Sequence, residues 1–395
     1  MARMAPASSP PKVRSNLKER RERSGVTQQE LSRRVGVSRQ ALTAIEAGRQ
    51  VPSTSLALLL GRALDCSVEE LFSLPSEDVV DVEVATEGDG TAPFSARMMM
   101  GLVRGRWVGH QILEAQAAAD GVLVCTDREG SMARADKVFG SGKVRSLALE
   151  PNRSMARLLD EAATVSSNVL MAGCAPLIGA LSGMAFRRYR DAHVRWLNAN
   201  SRHSLDLLEK DLVHIAGIHL FDEASGEYNT PVVRRRFAGQ DMLVVNLTRW
   251  RQGILVRGGN PLGLRSVEDL LRPGLGVARR EEGAGATRLL ERMLGKQASR
   301  LPLGPLGRSH DDIAQLVASG AADAGIAIES VAIANGLGFV PLSEECFDLV
   351  VRREVAAERI VDRVLDMLQD NTFRIETSLT PGYDSTISGK VRAVS

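Results

Sequence analysis

The chain has 395 residues, 44% of them hydrophobic and 25% charged, with 50 Lys and Arg against 48 Asp and Glu. Such a chain has room for two or three globular domains. No apolar run reaches membrane-spanning length and the N-terminus lacks a signal-peptide core, so neither a membrane-spanning nor an exported protein is expected. The four cysteines (Cys66, Cys125, Cys174, Cys346) are scattered with no C-x-x-C pair, which argues against a disulfide scaffold or a structural zinc site and predicts a cytoplasmic protein. The net charge of +2 hides an uneven distribution. Between Lys12 and Arg49 stand ten Lys/Arg and four Glu, a local excess of +6. A segment that neutralises phosphates needs such an excess.

Residues 1–12, rich in Ala, Ser and Pro, predict a disordered tail. Residues 13–75 predict an all-α domain. Val13 to Ser24 reads as its first helix. Thr27 caps a second, with Glu30 placed for a capping box and Leu31 and Val35 on one face. Gly36 turns the chain, and Ser38 caps a third helix whose Leu42 and Ile45 point back toward Leu31 and Val35. Arg39, Gln40 and Thr43 fall on its wet face. Ser55 to Asp65 reads as a fourth helix with Leu56, Leu59, Leu60 and Ala63 inward, and Ser67 to Phe72 as a fifth; Leu74-Pro75-Ser76 ends the domain.

Two helices, a glycine turn and a polar outer face make a helix-turn-helix. The stretch TQQELSRRVGVSRQALTAIEAGRQVPS, followed by LALLLGRALDCSVEELF, resembles the helix-turn-helix of the Cro/phage-repressor (XRE) family. That resemblance implies double-stranded DNA as partner and Ser38 to Glu46 as recognition helix. Gln28 and Ser38 would meet phosphates, and Arg39, Gln40 and Thr43 would face bases, with Arg49 also at the DNA. A homodimer on two half-sites is expected.

Residues 78–160 predict a small β-rich linker subdomain, with strand candidates around Val79–Val84, within Ala96–Ile112, at Val122–Cys125 and at Val144–Leu149. Trp107 and His110 read as core or interface residues, and no chemistry is expected here.

Residues 161–395 alternate strands with helices, which predicts parallel sheets; their length predicts two lobes. The expected strands include Ser167–Ala172, His193–Leu197, Val213–His219, Asp241–Leu247, Gly253–Arg257, Gly276–Arg279, Ala324–Ile328 and Phe347–Val351, and the last helix Val355–Leu368. Three strand-to-helix turns share one design: Ala172-Gly173-Cys174-Ala175-Pro176, Asn198-Ala199-Asn200-Ser201, and Arg279 to Thr287 through Gly283-Ala284-Gly285-Ala286. Each brings backbone N–H groups and a helix N-terminus to a strand's carboxyl end, where anions bind.

The segments MAGCAPLIGAL, NANSRHSLDLL, RWRQGILVRGGNPLGLRSVEDLL and RREEGAGATRLLERML are similar to the molybdate-binding-protein-like domain of the type II periplasmic binding proteins, in the version fused to helix-turn-helix regulators. The resemblance implies two α/β lobes joined by two crossover strands, lobe one at about 160–247 plus 346–395 and lobe two at about 248–345. A small oxyanion, molybdate or tungstate, would close between them as effector; no cofactor or metal is implied. Gly173, Cys174, Ala175, Ser201, Gly283, Ala284, Gly285, Ala286 and Thr287 would hold it, with Arg280 adding charge. His219 is either a ligand contact or a structural hydrogen bond, and Arg249 pairs with an anion or makes a hinge salt bridge. The chain departs from the family at Ala175, where an aspartate is common, and at Gly283-Ala284-Gly285-Ala286-Thr287, where G-S-G-T-R is common. Cys174 reads as a small apolar filler, and His310 as surface at a helix start. The leading expectation is a ligand-responsive transcription regulator, ahead of a DNA-binding scaffold that has lost its ligand and an enzyme of molybdenum-cofactor or small-metabolite metabolism.

Overall fold

A computed structural model describes residues 13–73, 79–85, 97–112, 118–124, 153–302 and 304–395. The expected tail at 1–12, the stop at Leu74–Ser76, the strand candidate Val144–Leu149 and Cys125 lie outside them. The chain divides into two compact units, residues 1–80 and 81–395.

The first unit is helical, with α1 Leu17–Arg23, α2 Gln28–Val35, α3 Arg39–Glu46, α4 Thr54–Ala63 and α5 Val68–Leu71; β1 Arg14–Ser15 pairs antiparallel with β2 Phe72–Ser73. Local chemistry sets the boundaries. Thr27, Ser38, Ser53 and Ser67 each accept a backbone N–H three residues on, and Gly36 closes α2 at φ +73°, a conformation glycine adopts freely. Ser67 and Glu70 form a full capping box, whereas Glu30 turns its carboxylate to Arg34. Leu17, Leu31, Val35, Leu42, Ile45, Leu60, Leu64 and Leu71 make one core. Leu59 is not in it: α4 buries Ala57, Leu60 and Gly61, leaving Leu59 45% exposed. Burying the small Ala57 and Gly61 brings the helix close, and Leu59 rotates outward.

The second unit begins within β3 Val79–Ala85, the first strand of a closed barrel in the order β3-β5-β4-β6-β7 with β4 Arg97–Val103, β5 Arg106–Gln111, β6 Gly121–Val124 and β7 Arg153–Leu158. Buried polar bonds seat the barrel on the α/β region. Asn168 Nδ2 donates to the Met100 carbonyl (2.8 Å), His110 Nε2 reaches the Leu212 carbonyl (2.8 Å), and Asp120 accepts the Met100 N–H while pairing with Arg195.

The α/β region runs α6 Ala162–Ser166, β8 Asn168–Gly173, α7 Leu177–Arg188, β9 His193–Asn198, α8 Ser201–Glu209, β10 Ile215–Ile218, β11 Phe221–Asp222, β12 Glu227–Tyr228, α9 Thr230–Arg236 and β13 Met242–Val256. It continues through β14 Val277–Arg280, α10 Gly285–Leu294, β15 Leu306–Gly307, α11 His310–Ala318, β16 Ala324–Ile328, α12 Glu329–Ala334 and β17 Gly338–Arg352. α13 Arg353–Ala356, α14 Arg359–Asp366, α15 Asn371–Ser378, β18 Tyr383–Asp384 and β19 Val391–Val394 complete it. A ten-stranded sheet carries the order β15-β14-β16-β13-β17-β10-β8-β9, with β18 and β19 on β13.

Parallel pairs lie at both ends of that sheet: β9-β8-β10 belongs to lobe one and β15-β14-β16 to lobe two. Between them run β13 and β17, fifteen residues each and antiparallel along their whole length, with register shifts at Asn246/Thr248 and Gln252/Gly253. These are the two crossover strands. The sequence splits β13 at 247–253 because Thr248, Arg249 and Gln252 interrupt the apolar run; in the fold Thr248 and Gln252 are buried where the strand passes between lobes. The expected last helix is also two. At about 100° per residue Val355 and Val364 would face opposite sides of one straight helix. Extended backbone at Glu358 breaks it, and both valines enter the same core.

Candidate functional site

On the first unit α3 presents Arg39 and Gln40 to solvent, with Thr43 half-buried beside them and its hydroxyl donating to the Arg39 carbonyl (2.9 Å). Ser38 is held by the α3 cap, accepting the Ala41 N–H at 3.1 Å, and Arg49 is exposed beyond the helix. Gln28 is anchored rather than free: its Nε2 donates to Glu46 Oε2 (2.7 Å) and its Oε1 accepts from Arg39 Nε (3.4 Å). Glu46 also receives Arg21 Nε at 2.6 Å. Arg21, Glu46, Gln28 and Arg39 thus form one chain of polar contacts that fixes α3 against α1 and α2.

In the second unit the interlobe region is organised around His219, just beyond β10. Its backbone N–H donates to Ser201 Oγ (3.1 Å), so the hydroxyl oxygen accepts one bond here, and that bond does not use its own O–H. Ring Nδ1 bonds Glu345 Oε2 at 2.7 Å, and Nε2 lies 3.3 Å from Cys174 Sγ. Trp250 stands edge-on to the ring at 5.1 Å between centroids, and Phe347 stacks on it at 5.8 Å. Burial by itself lowers the pKa of this imidazole; the Cys174 sulfur and the Glu345 carboxylate outweigh it and push the pKa up to about 10. Trp250 Nε1 also donates to Glu345 (3.4 Å). Gln252, its amide nitrogen assigned toward the carboxylate, donates to both Glu345 oxygens at 2.5 and 2.9 Å.

His310 completes the cluster and corrects a sequence expectation. It is the first residue of α11 but only 1% exposed. Its ring is edge-on to Trp250 at 5.5 Å, and neither ring nitrogen has a hydrogen-bond partner. Burial holds its pKa well below 6.5, and nearby Arg280 and His219 reinforce that. Cys174 likewise is more than a filler: it is 4% exposed and in contact with a base that the sequence places 45 residues away.

The glycine-rich turn supplies the lobe-two wall. Gly285, at the N-terminus of α10, lies directly on the His219 ring. Gly283 adopts φ +89° beside Asn200 and Arg202 of lobe one, and Arg202 pairs with Glu282 across the lobes (3.3 Å). Thr287 turns its hydroxyl back to the carbonyls of Arg280 and Glu281. The Arg280 guanidinium is held by both Glu281 oxygens at 3.2 Å and by the Arg308 carbonyl, and Arg249 lies away from the cluster, 3.8 Å from Asp384. Ala284 and Ala286 are buried in the turn, and Gly173 and Ala175 flank Cys174, where the Gly173 carbonyl accepts Trp196 Nε1. A cavity of about 150 Å³ adjoins His219, lined among others by Glu223, Gly285, Arg288, Arg292 and Glu345.

The fold therefore gathers Cys174, Ser201, His219 and Gly285 as the sequence suggests, adds His310, Glu345, Trp250 and Gln252, and leaves Arg249 outside. Chemically, Cys174–His219–Glu345 has the connectivity of a nucleophile, base and orienting carboxylate. The same side chains with His310 are thiolate and imidazole donors of the kind that hold transition metals.

A DNA-reading helical unit followed by a two-lobed α/β domain with paired crossover strands defines a one-component regulator architecture. The helix-turn-helix family matches residues 17–71, and the PBP superfamily domain matches residues 183–369. An HTH-type transcriptional regulator of Methanothermobacter thermautotrophicus is 42% identical over 66 residues, 16% of this chain and 96% of that protein. The Bacillus subtilis protein YvgK is 32% identical over 181 residues, 45% of this chain; the chain spans only 58% of YvgK's length. Among solved structures, a phosphate ABC transporter substrate-binding protein from Clostridium perfringens with bound phosphate aligns over 55% of this chain and 99% of its own, at 13% identity and a TM-score of 0.44. The chain belongs to the XRE-type helix-turn-helix transcription regulators, and it carries a periplasmic-binding-protein-like domain. Among the described residues no helix is long and apolar enough to cross a membrane.

Proposed function

We propose that the protein is a cytoplasmic, effector-responsive transcription regulator and not an enzyme. Its α3 reads an operator while its two lobes close on a small effector. The observation that carries this reading is the pairing, in one chain, of a recognition helix with exposed Arg39 and Gln40 and a cleft whose buried polar cluster draws on both lobes. The helix N-termini at Gln28 and Ser38, together with Arg49, serve the DNA backbone, and Arg39, Gln40 and Thr43 the base edges. A homodimer would place two such helices about 34 Å apart on half-sites. Cys174 is only 4% exposed, packed against His219.

For the effector, the family resemblance favours molybdate or tungstate. The N-termini of α8 and α10 support that reading, since Ser201, Gly285 and Cys174, one from each of the three turns, all touch His219. Glu345 beside His219 speaks for a different ligand chemistry. The test is selection of binding sites from random DNA with the full chain, followed by affinity measurements with molybdate, tungstate and sulfate. Enrichment of a two-fold symmetric site supports the regulator, and no enrichment refutes it. Light scattering on the complex tests the dimer. An affinity change with molybdate or tungstate but not sulfate supports the oxyanion.

A further inference from the structure

Neither DNA reading nor oxyanion capture uses His310. A fully buried imidazole with both nitrogens unpartnered is costly, and such groups call for a physical explanation. One donor atom each from Cys174, His219 and His310 lies within 4.8 Å of the others. The 3.3 Å between Cys174 Sγ and His219 Nε2 is close to the ~3.6 Å expected for sulfur and nitrogen on one tetrahedral zinc, from bond lengths of about 2.3 and 2.05 Å. Glu345 bonds the other nitrogen of His219, as carboxylates do behind metal-bound histidines, and so directs the Nε2 lone pair toward Cys174 and His310. Trp250 and Gln252 in turn hold Glu345.

We propose that Cys174, His219 and His310 form a binding site for a divalent transition-metal ion of zinc's class, with Glu345 as the orienting partner of His219 and the fourth coordination position left to water or a small ligand. One thiolate and two imidazoles favour zinc or its neighbours over magnesium or calcium, which take oxygen ligands. Binding replaces the hydrogen between His219 Nε2 and Cys174, which leaves to solvent as a proton; nothing is oxidised or reduced. Cys174 and His219 belong to lobe one and His310 to lobe two, so the ion gains its full ligand set only when the lobes are closed. The site stands on this geometry alone. Its role as effector site rests on the regulator reading above.

The test uses the full chain, stripped with a chelator and titrated with Co²⁺ as a spectroscopic stand-in for zinc. The expected result is one equivalent of Co²⁺ bound with a thiolate-to-cobalt charge-transfer band, displaced by Zn²⁺. Cys174→Ser abolishes the band and Cys346→Ser leaves it intact. Glu345→Gln weakens affinity by about 10–100-fold, and His310→Gln weakens it further. Circular dichroism and melting of the metal-free variants show that the fold survives. The proposal is overturned if the wild-type chain gives no such band, if the band survives Cys174→Ser, or if His310→Gln binds as the wild type does. Absence of the band together with rapid alkylation of Cys174 by iodoacetamide points instead to a nucleophilic Cys–His pair. Operator binding is measured in parallel. Metal binding that leaves DNA affinity unchanged keeps the site and removes it as the effector site, whereas an operator response without metal binding keeps the regulator and removes the site.

Discussion

Gly285 and His219 compete for one space. A Cβ on Gly285 would lie 2.1 Å from Cε1 and 2.5 Å from Nδ1 of the His219 ring, closer than any real side chain tolerates. Gly285 comes from lobe two and His219 from lobe one, so this contact defines how far the lobes can close. Gly285→Ala should hold them apart and destabilise the second unit by about 1–3 kcal/mol, the usual range for overpacking. Denaturant unfolding checks the energy, and small-angle scattering should report a larger radius of gyration. An unchanged midpoint and radius would show that the ring simply steps aside.

The DNA reader can be tested by separating specificity from affinity. Arg39→Ala with Gln40→Ala should abolish sequence preference yet leave much of the salt-dependent binding to random DNA. Base contacts discriminate by about 1–3 kcal/mol each, while phosphate contacts act on any sequence. Competition between a selected site and random DNA measures this, and a double variant that keeps its preference would move base readout away from α3.

Arg21 and Glu46 form a nearly buried ion pair, with side chains 8% and 3% exposed. Removing one partner strands the other's charge. Glu46→Ala should therefore cost about 3–5 kcal/mol in the first unit and release Gln28, which now leans on the same carboxylate. Replacing both partners by apolar residues, as in Arg21→Met with Glu46→Leu, should recover most of the loss. Thermal melts of the full chain followed by helical circular dichroism decide between these outcomes.

His214 makes the barrel's seat sensitive to acid. Its Nδ1 accepts the Leu170 N–H (2.9 Å) and its Nε2 donates to the Leu102 carbonyl (3.1 Å), a pairing that needs the neutral ring. Burial lowers its pKa from 6.5 to about 4. The unfolded chain therefore takes up the proton first as pH falls. The stabilisation is complete above pH 6.5 and is lost between there and about pH 4, on the order of 3 kcal/mol for this one group. His214→Gln keeps a donor and an acceptor but cannot titrate, and it should flatten that limb of the stability–pH curve. An identical limb in the variant would assign the acid sensitivity elsewhere.

The helical unit was readable because its signals are local. Thr27, Ser38 and Ser67 lie within three residues of the N–H groups they cap, and Gly36 marks its own turn. Leu59 faces out where an inward place is expected because a helix with apolar residues at 56, 57, 58, 59 and 60 offers several inward faces, and packing against neighbours selects among them. In the second unit the positions of Cys174, Ser201, His219 and Gly285 at strand ends are legible in the sequence. What joins them is not. Glu345 lies 126 residues from His219, and His310 opens α11 behind Ser309 in an ordinary capping pattern. A weak signal is present: Asn246, Thr248 and Gln252 are uncharged polar residues within β13, which suggests buried partners without naming them.

The two crossover strands carry a mechanical consequence. Because β13 and β17 run unbroken through both lobes and are paired over nearly their whole length, the domain has no loose hinge loop; it bends like a leaf spring clamped at each end. The ladder is interrupted at two places, Asn246/Thr248 and Gln252/Gly253. One of them falls at Gln252, which holds Glu345, so a change in strand pairing there would act on the carboxylate that orients His219.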